Sequence, residues 1–445
     1  VIENRKKGGK MSDYKERIKK QIEKSKEEYL ALLKKMISFD SKILDAGKFG
    51  QEAGIQEYLA AHFTDMGAKV DVFEPDNGRI CQYAGFNAGH VYEDRKNVVA
   101  VFKGSGGGRS LLMNGHCDIV PAENEEEWSV PPFQAEVREG RLIGRGAADM
   151  KGGSAAAICA IQLLKDLGVQ LKGDIIFESV IDEEGGGNGT IACCDRGYKA
   201  DGALIMEPTS LAVMPCNRGA FLAEFTVKGK PIHAAMKGHG ENAIEKAIKL
   251  IDALHGLESK WLMTKKHDLL ANPTINIGMI TGGTGASVAA AECNVKFDVE
   301  FLPSELDCDY RSIKVNPEDV KKEVEQWIAA ACKGDEWLSR NPVEIHWYQE
   351  TLCFETDTES DFVKCVCSSV EQVLDRAAVD GLACGCDGAQ LANIGKMPVV
   401  ILGPGEFSQL HTTDESISVE KYLQAIEIYA HLILKWVEAQ QEAES

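Results

Sequence analysis

Six ionisable residues, His116, Asp149, Glu183, Glu184, Glu207 and His411, each stand at the end of an apolar, strand-like run or in a Gly-rich turn just after one. A fold that accepts this sequence has to bring such groups together with a partner, because buried carboxylates and imidazoles are costly without one. A pair of divalent ions is the commonest reason to collect so many in one place, and such a pair makes hydroxide available at neutral pH.

The 445 residues exceed a single ordinary core, so two domains are expected. Asp174–Ile181 and Ala203–Met206 read as buried strands, and the helical stretches Gln51–Met66 and Ser154–Leu167 each stop at a glycine. Near-continuous apolar strands alternating with helices predict an α/β sheet covered on both faces. From about Asn217 the order becomes strand (Phe221–Val227), helix (Asn242–His255), strand (Thr274–Ile280), strand (Glu292–Phe301), helix (Pro317–Cys332), strand (Val343–Trp347). That is the split β-α-β-β-α-β, ferredoxin-like unit. It is expected as an α+β insertion over 215–347, interrupting a catalytic domain made of 11–214 and 348–445, where the α/β pattern resumes. The charged tail after Glu438 is expected to fray.

A net charge of −20 argues against nucleic-acid binding, which needs basic patches. No apolar run approaches the ~18 residues that span a bilayer, and Val1–Lys10 lacks the apolar core of a signal peptide. A cytoplasmic protein is therefore expected. Its 14 cysteines then read as reduced thiols serving as small core residues.

Leu111-Leu-Met-Asn-Gly-His116-Cys-Asp118 is a strand opening into a turn, with Asp118 placed to accept a hydrogen bond from the imidazole. Gly144-Arg-Gly146-Ala-Ala-Asp149-Met-Lys-Gly152-Gly153 sets a carboxylate just before a helix, either as a cap or as a bridge between cations. Val180-Ile-Asp182-Glu183-Glu184-Gly ends a strand with three acids, which need a cation or a proton between them. One would be a ligand and another a general base. Ile205-Met-Glu207-Pro208 and Leu410-His411-Thr-Thr-Asp-Glu415 complete the set.

Together and in this order, these segments resemble the zinc peptidase superfamily of acetylornithine deacetylase, succinyl-diaminopimelate desuccinylase, aminoacylase and glutamate carboxypeptidase. The resemblance spans nearly the whole chain. It implies a mixed-sheet metallopeptidase (phosphorylase/hydrolase-like) catalytic domain with an inserted ferredoxin-like lid and dimerisation domain, hence a homodimer. It implies His116 and Glu207 as ligands of one ion, Glu184 and His411 of the other, and Asp149 shared. Asp118 becomes the partner of His116, and Glu183 the general base that takes a proton from water and passes it to the leaving nitrogen. Zinc is the usual metal, with cobalt or manganese compatible with so many carboxylates. His233, in Gly229-Lys-Pro-Ile-His233, matches a histidine that helps stabilise the tetrahedral oxyanion, often across a dimer interface.

The implied activity is hydrolysis of the amide of a small N-acyl compound; a dipeptidase or carboxypeptidase using the same site is the alternative. Glu300 stands where relatives usually carry an arginine that binds a substrate carboxylate, and Ser287 where asparagine is usual. A carboxylate cannot clamp another carboxylate. Either Arg218, Lys237 or Arg311 serves instead, or the substrate lacks that carboxylate or carries a positive charge.

Overall fold

The computed structural model describes residues 2–307, 309 and 311–438, with side chains from Tyr14 onward. The tail after Glu438 lies outside the described residues. The chain gathers into two compact units. One comprises Val1–Cys216, Thr356–Asp380 and Cys386–Ser445; the other comprises Asn217–Glu355 and Gly381–Gly385.

In chain order the main strands are β1 (Lys69–Phe73), β2 (Asn97–Phe102), β3 (Leu111–His116), β4 (Ile175–Val180), β5 (Gly202–Ile205), β6 (Gly219–Lys228), β7 (Ile275–Gly282), β8 (Glu292–Phe301), β9 (Ile345–Thr351) and β10 (Val399–Ile401). The first unit holds a six-stranded mixed sheet in the order β10-β5-β3-β4-β2-β1. Its first four strands run parallel; β2 pairs antiparallel with β4, and β1 pairs antiparallel with β2. Every residue of β3, β4 and β5 is buried, as expected of strands covered on both faces. The helices Ile2–Ile37, Lys151–Asp166 and Val419–Val437 pack against one another beside this sheet. Gly115, just before His116, has no room for a side chain: a Cβ there would meet Ser154 Oγ at 2.2 Å. A side chain at this position would displace Ser154, Met206 and Met150 from beside the strand end.

The second unit is a four-stranded antiparallel sheet in the order β7-β8-β6-β9, with the helices Ala243–Thr264 and Pro317–Lys333. Along β6 and β8 residues alternate in burial. One face sends Phe221, Phe225, Val295 and Phe297 into a core with Leu250, Trp261 and Val324, and the other carries Glu224, Lys296, Asp298 and Glu300.

Several elements differ in extent from the sequence reading, and the two largest differences lie in this unit. The first helix of this unit continues nine residues beyond His255, because Leu257 and Trp261 prolong its buried stripe. The last strand lies at Ile345–Thr351 rather than Val343–Trp347, since pairing with β6 continues to Ala220↔Thr351. Among the described residues no helix is long and apolar enough to cross a membrane. Cys117, Cys159, Cys193 and Cys194 are buried thiols.

Candidate metal centre

The carboxyl ends of the four parallel strands all point to one edge of the sheet, where open α/β sheets place their ligands. His116 is the last residue of β3; Glu183 and Glu184 follow β4, Glu207 follows β5, and the loop after β10 leads to His411. Asp149 joins them from the turn ahead of the helix Lys151–Asp166. The structure brings all six together. His116 Nε2 lies 3.0 Å from Asp149 Oδ1, 3.6 Å from Glu207 Oε1 and 4.0 Å from Glu183 Oε2. His411 Nε2 lies 3.4 Å from Asp149 Oδ2 and 3.2 Å from Glu184 Oε2. Asp149 thus spans the two imidazoles with its two oxygens. In two triplets, His116 with Asp149 and Glu184 and His116 with Glu183 and Glu207, the ligand atoms all fall within 4.8 Å of one another.

The electrostatics are those of a cation site. Burial and the charge of Glu207 push the Glu183 carboxyl well above the ordinary carboxylate range. Burial likewise raises Glu207 and Glu184. Burial would also raise Asp149, but hydrogen bonds from His116 and His411 pull it down. Hydrogen bonds to Asp149 and Glu184 push His411 up to about 10. Burial opposes a charge on His116, yet Asp149, Glu207 and Glu183 hold its proton well above the usual range. Two imidazoles and four carboxylates, mostly buried, form a donor set of nitrogen and hard oxygen atoms that fits zinc, cobalt or manganese.

The structure corrects one detail of the sequence reading. The imidazole of His116 pairs through Nδ1 with the backbone carbonyl of Asp118 at 2.9 Å, not with its carboxylate, which stands 3.8 Å away. That carboxylate is turned toward the acid turn, where it accepts the backbone N–H groups of Glu183 (3.3 Å) and Glu184 (3.1 Å). His233 belongs to the second unit, where its exposed ring accepts from Ala235 N–H at 3.2 Å and caps a short 3-10 turn.

Other residues support the centre and had no assigned part in the sequence reading. The buried Glu415 carboxylate accepts from Arg145 Nη1 (2.8 Å) and from the backbone N–H groups of Gly146, Ala148 and Asp149. It therefore ties the loop of His411 to that of Asp149. Its only sequence signal is its position four residues after His411. Glu178, fully buried on β4, accepts from Asn114 Nδ2 at 3.0 Å. The same amide donates to Thr190, whose hydroxyl donates to Asp387.

Burial pushes the Glu178 carboxyl up to about 8. The folded protein keeps this proton to about pH 8, while the unfolded chain releases it near 4.5. The stabilising effect is full below about pH 4.5 and is lost as pH rises to about 8, at roughly 1.4 kcal/mol per pH unit. Glu178→Gln, which cannot ionise, is expected to flatten this loss. Urea melts at pH 5 and pH 8 check it, and a variant that loses as much stability over this interval as the wild type would contradict it.

A mixed α/β fold with ionisable groups gathered at the strand ends defines a hydrolase of the metallopeptidase class. Residues 112–435 match the peptidase family M20/M25/M40, and the chain belongs to that family. It is an enzyme of the amidohydrolase/peptidase kind. The chain is 31% identical over 439 residues to N-formyl-4-amino-5-aminomethyl-2-methylpyrimidine deformylase of Halalkalibacterium halodurans, covering 93% of this chain and 96% of that one. It is 26% identical over 376 residues to a probable succinyl-diaminopimelate desuccinylase of Staphylococcus aureus, covering 78% and 88%. In fold it resembles a tripeptidase from Staphylococcus aureus (TM-score 0.69, 20% identity, 92% of this chain and 98% of that one).

Proposed function

We propose that this enzyme removes a small acyl group, formyl in the first instance, from the nitrogen of an aminomethyl heteroaromatic compound, releasing a carboxylic acid and an amine. The observation that carries the hydrolytic part is the convergence of two imidazoles and four carboxylates at one sheet edge. His116 and Glu207 would hold one divalent ion, Glu184 and His411 the other, with Asp149 shared between them. When bound, such ions polarise a carbonyl and make water a nucleophile at neutral pH. Glu183, which burial keeps ready to hold a proton, takes one from the attacking water and delivers it to the leaving nitrogen. Asp118 fixes the turn that presents Glu183.

The substrate part rests on the second unit. Each of the three candidate cations for clamping a substrate carboxylate already lies against acids. Arg218 Nε lies 3.4 Å from Glu300 itself; Lys237 pairs with Glu245, and Arg311 with Asp307 and Asp309. Glu300, which burial raises to about 7, is a carboxyl where a clamp for an anion needs a cation, and a carboxyl can hydrogen-bond the nitrogens of an amino-substituted ring. This favours a substrate without that carboxylate, in keeping with the aminopyrimidine named for the relative from Halalkalibacterium halodurans. The proposal includes the second unit as lid and dimerisation module and His233 as a donor to the oxyanion. The apolar edge strand β7, with Met279 and Ile280 exposed, supports a dimer through that edge.

Assaying N-formyl aminomethylpyrimidines, N-acyl amino acids and dipeptides side by side, with zinc, cobalt or manganese, tests the reading. The N-formyl amine is expected to be turned over with the highest kcat/KM. Faster cleavage of dipeptides would replace this reading with the dipeptidase one.

A further inference from the structure

Asp182 directly precedes Glu183 and has no part in the chemistry above, yet it is completely buried. Its backbone lies in the left-handed region at φ 66°, which non-glycine residues adopt rarely and at a cost. Its carboxylate is gripped from the loop between β1 and β2. His90 Nδ1 lies 2.8 Å from Oδ2, and the Tyr92 hydroxyl donates to the same oxygen at 2.6 Å. Arg95 Nη2 reaches Oδ1 at 3.5 Å.

These partners are themselves fixed. Arg95 donates through Nη2 and Nε to Glu52 at 2.6 and 3.0 Å, and through Nη1 to the carbonyl of Gly47 at 2.9 Å. Asn188, which opens the next helix, donates to the Tyr92 oxygen at 2.7 Å. Burial and the Asp182 charge keep the Tyr92 hydroxyl protonated, and so a donor. Across the turn, Gly187 N–H donates to the Asp182 carbonyl at 2.7 Å.

We propose that Asp182 is a positioning residue: anchored by Tyr92, His90 and Arg95, it holds the left-handed turn that aims the Glu183 carboxylate. The anchor acts through its hydrogen-bonded side chain, not through backbone conformation alone. This rests on the reading of Glu183 as the general base. A residue that orients a reacting group in this way typically contributes roughly 10–100-fold.

The test uses the full chain with an N-formyl aminomethylpyrimidine as substrate. Asp182→Ala and Asp182→Gly are both expected to lower kcat about 10–100-fold, with KM and metal content unchanged. Asp182→Asn tolerates the left-handed region and keeps an acceptor for Tyr92, so it is expected to recover most of the loss. Tyr92→Phe, which removes one hydroxyl, is expected to lower kcat several-fold and stands in if the alanine variant does not fold. In a Glu183→Ala background, Asp182→Ala is expected to cost nothing further.

Wild-type kcat in Asp182→Gly would mean that only the backbone conformation matters, and would overturn the proposal. So would a parallel change in KM and metal content, no effect of Tyr92→Phe, or an undiminished loss in the Glu183→Ala background. Full activity of Glu183→Ala alone would instead remove the reading of Glu183 on which the proposal is built.

Discussion

Glu183→Ala is expected to lower kcat by about 10²–10⁴-fold while the protein still binds its divalent ions. The carboxylate lies at the mouth of the acid turn, 4.0 Å from His116 Nε2, and Asp118 holds the backbone of that turn through two N–H groups. Glu207 and burial together keep its proton affinity high. A group so placed is suited to accept a proton from water and return it to nitrogen within one cycle. Glu183→Gln keeps the size and removes the titration, so it should lose nearly as much as alanine. Steady-state kinetics together with metal quantification decide the matter. Substantial turnover in either variant would remove Glu183 from the mechanism, and loss of the ions along with activity would make it a ligand instead.

Stripping the enzyme with a chelator is expected to abolish activity, and returning zinc, cobalt or manganese to restore it. Ion uptake should also expel protons. With no ion, His411 holds its proton to about pH 10, and His116 holds its own well above the ordinary imidazole range. Both must lose that proton to become ligands, so ions and protons compete and affinity should climb as pH rises. Calorimetry in buffers of different ionisation enthalpy measures the protons released. Binding with no proton release near pH 7, or activity that survives chelation, would contradict the assignment.

The strands and helices are legible in the sequence where their patterns are local. Near-continuous apolar runs marked β4 and β5, and β6 and β8 alternate in burial with period two. The strand Glu292–Phe301 is bounded to the residue in the sequence for the same reason. The six ionisable residues could be picked out because each ends an apolar run or stands in a Gly-rich turn after one.

What stayed hidden depends on long-range packing. Glu415 looks like one more acid in a polar loop until four hydrogen-bond donors, three of them backbone, are seen converging on it. Asp182 reads as the first of three equivalent acids, but its partners lie about 90 residues earlier. Glu178 sits within a fully buried strand, and only the fold reveals that Asn114 is its partner. Asp118 was singled out correctly as a neighbour of His116, but which of its oxygens met the imidazole depended on the competing N–H groups of a turn about 65 residues away.

The most direct test is elemental analysis of fully active protein beside Asp149→Ala, the residue that touches both imidazoles. Two divalent transition-metal ions per chain are expected in the active enzyme, falling to one or none, with activity gone, in the variant. Full activity with no stoichiometric metal, or an Asp149→Ala protein that keeps both ions and its turnover, would contradict the account.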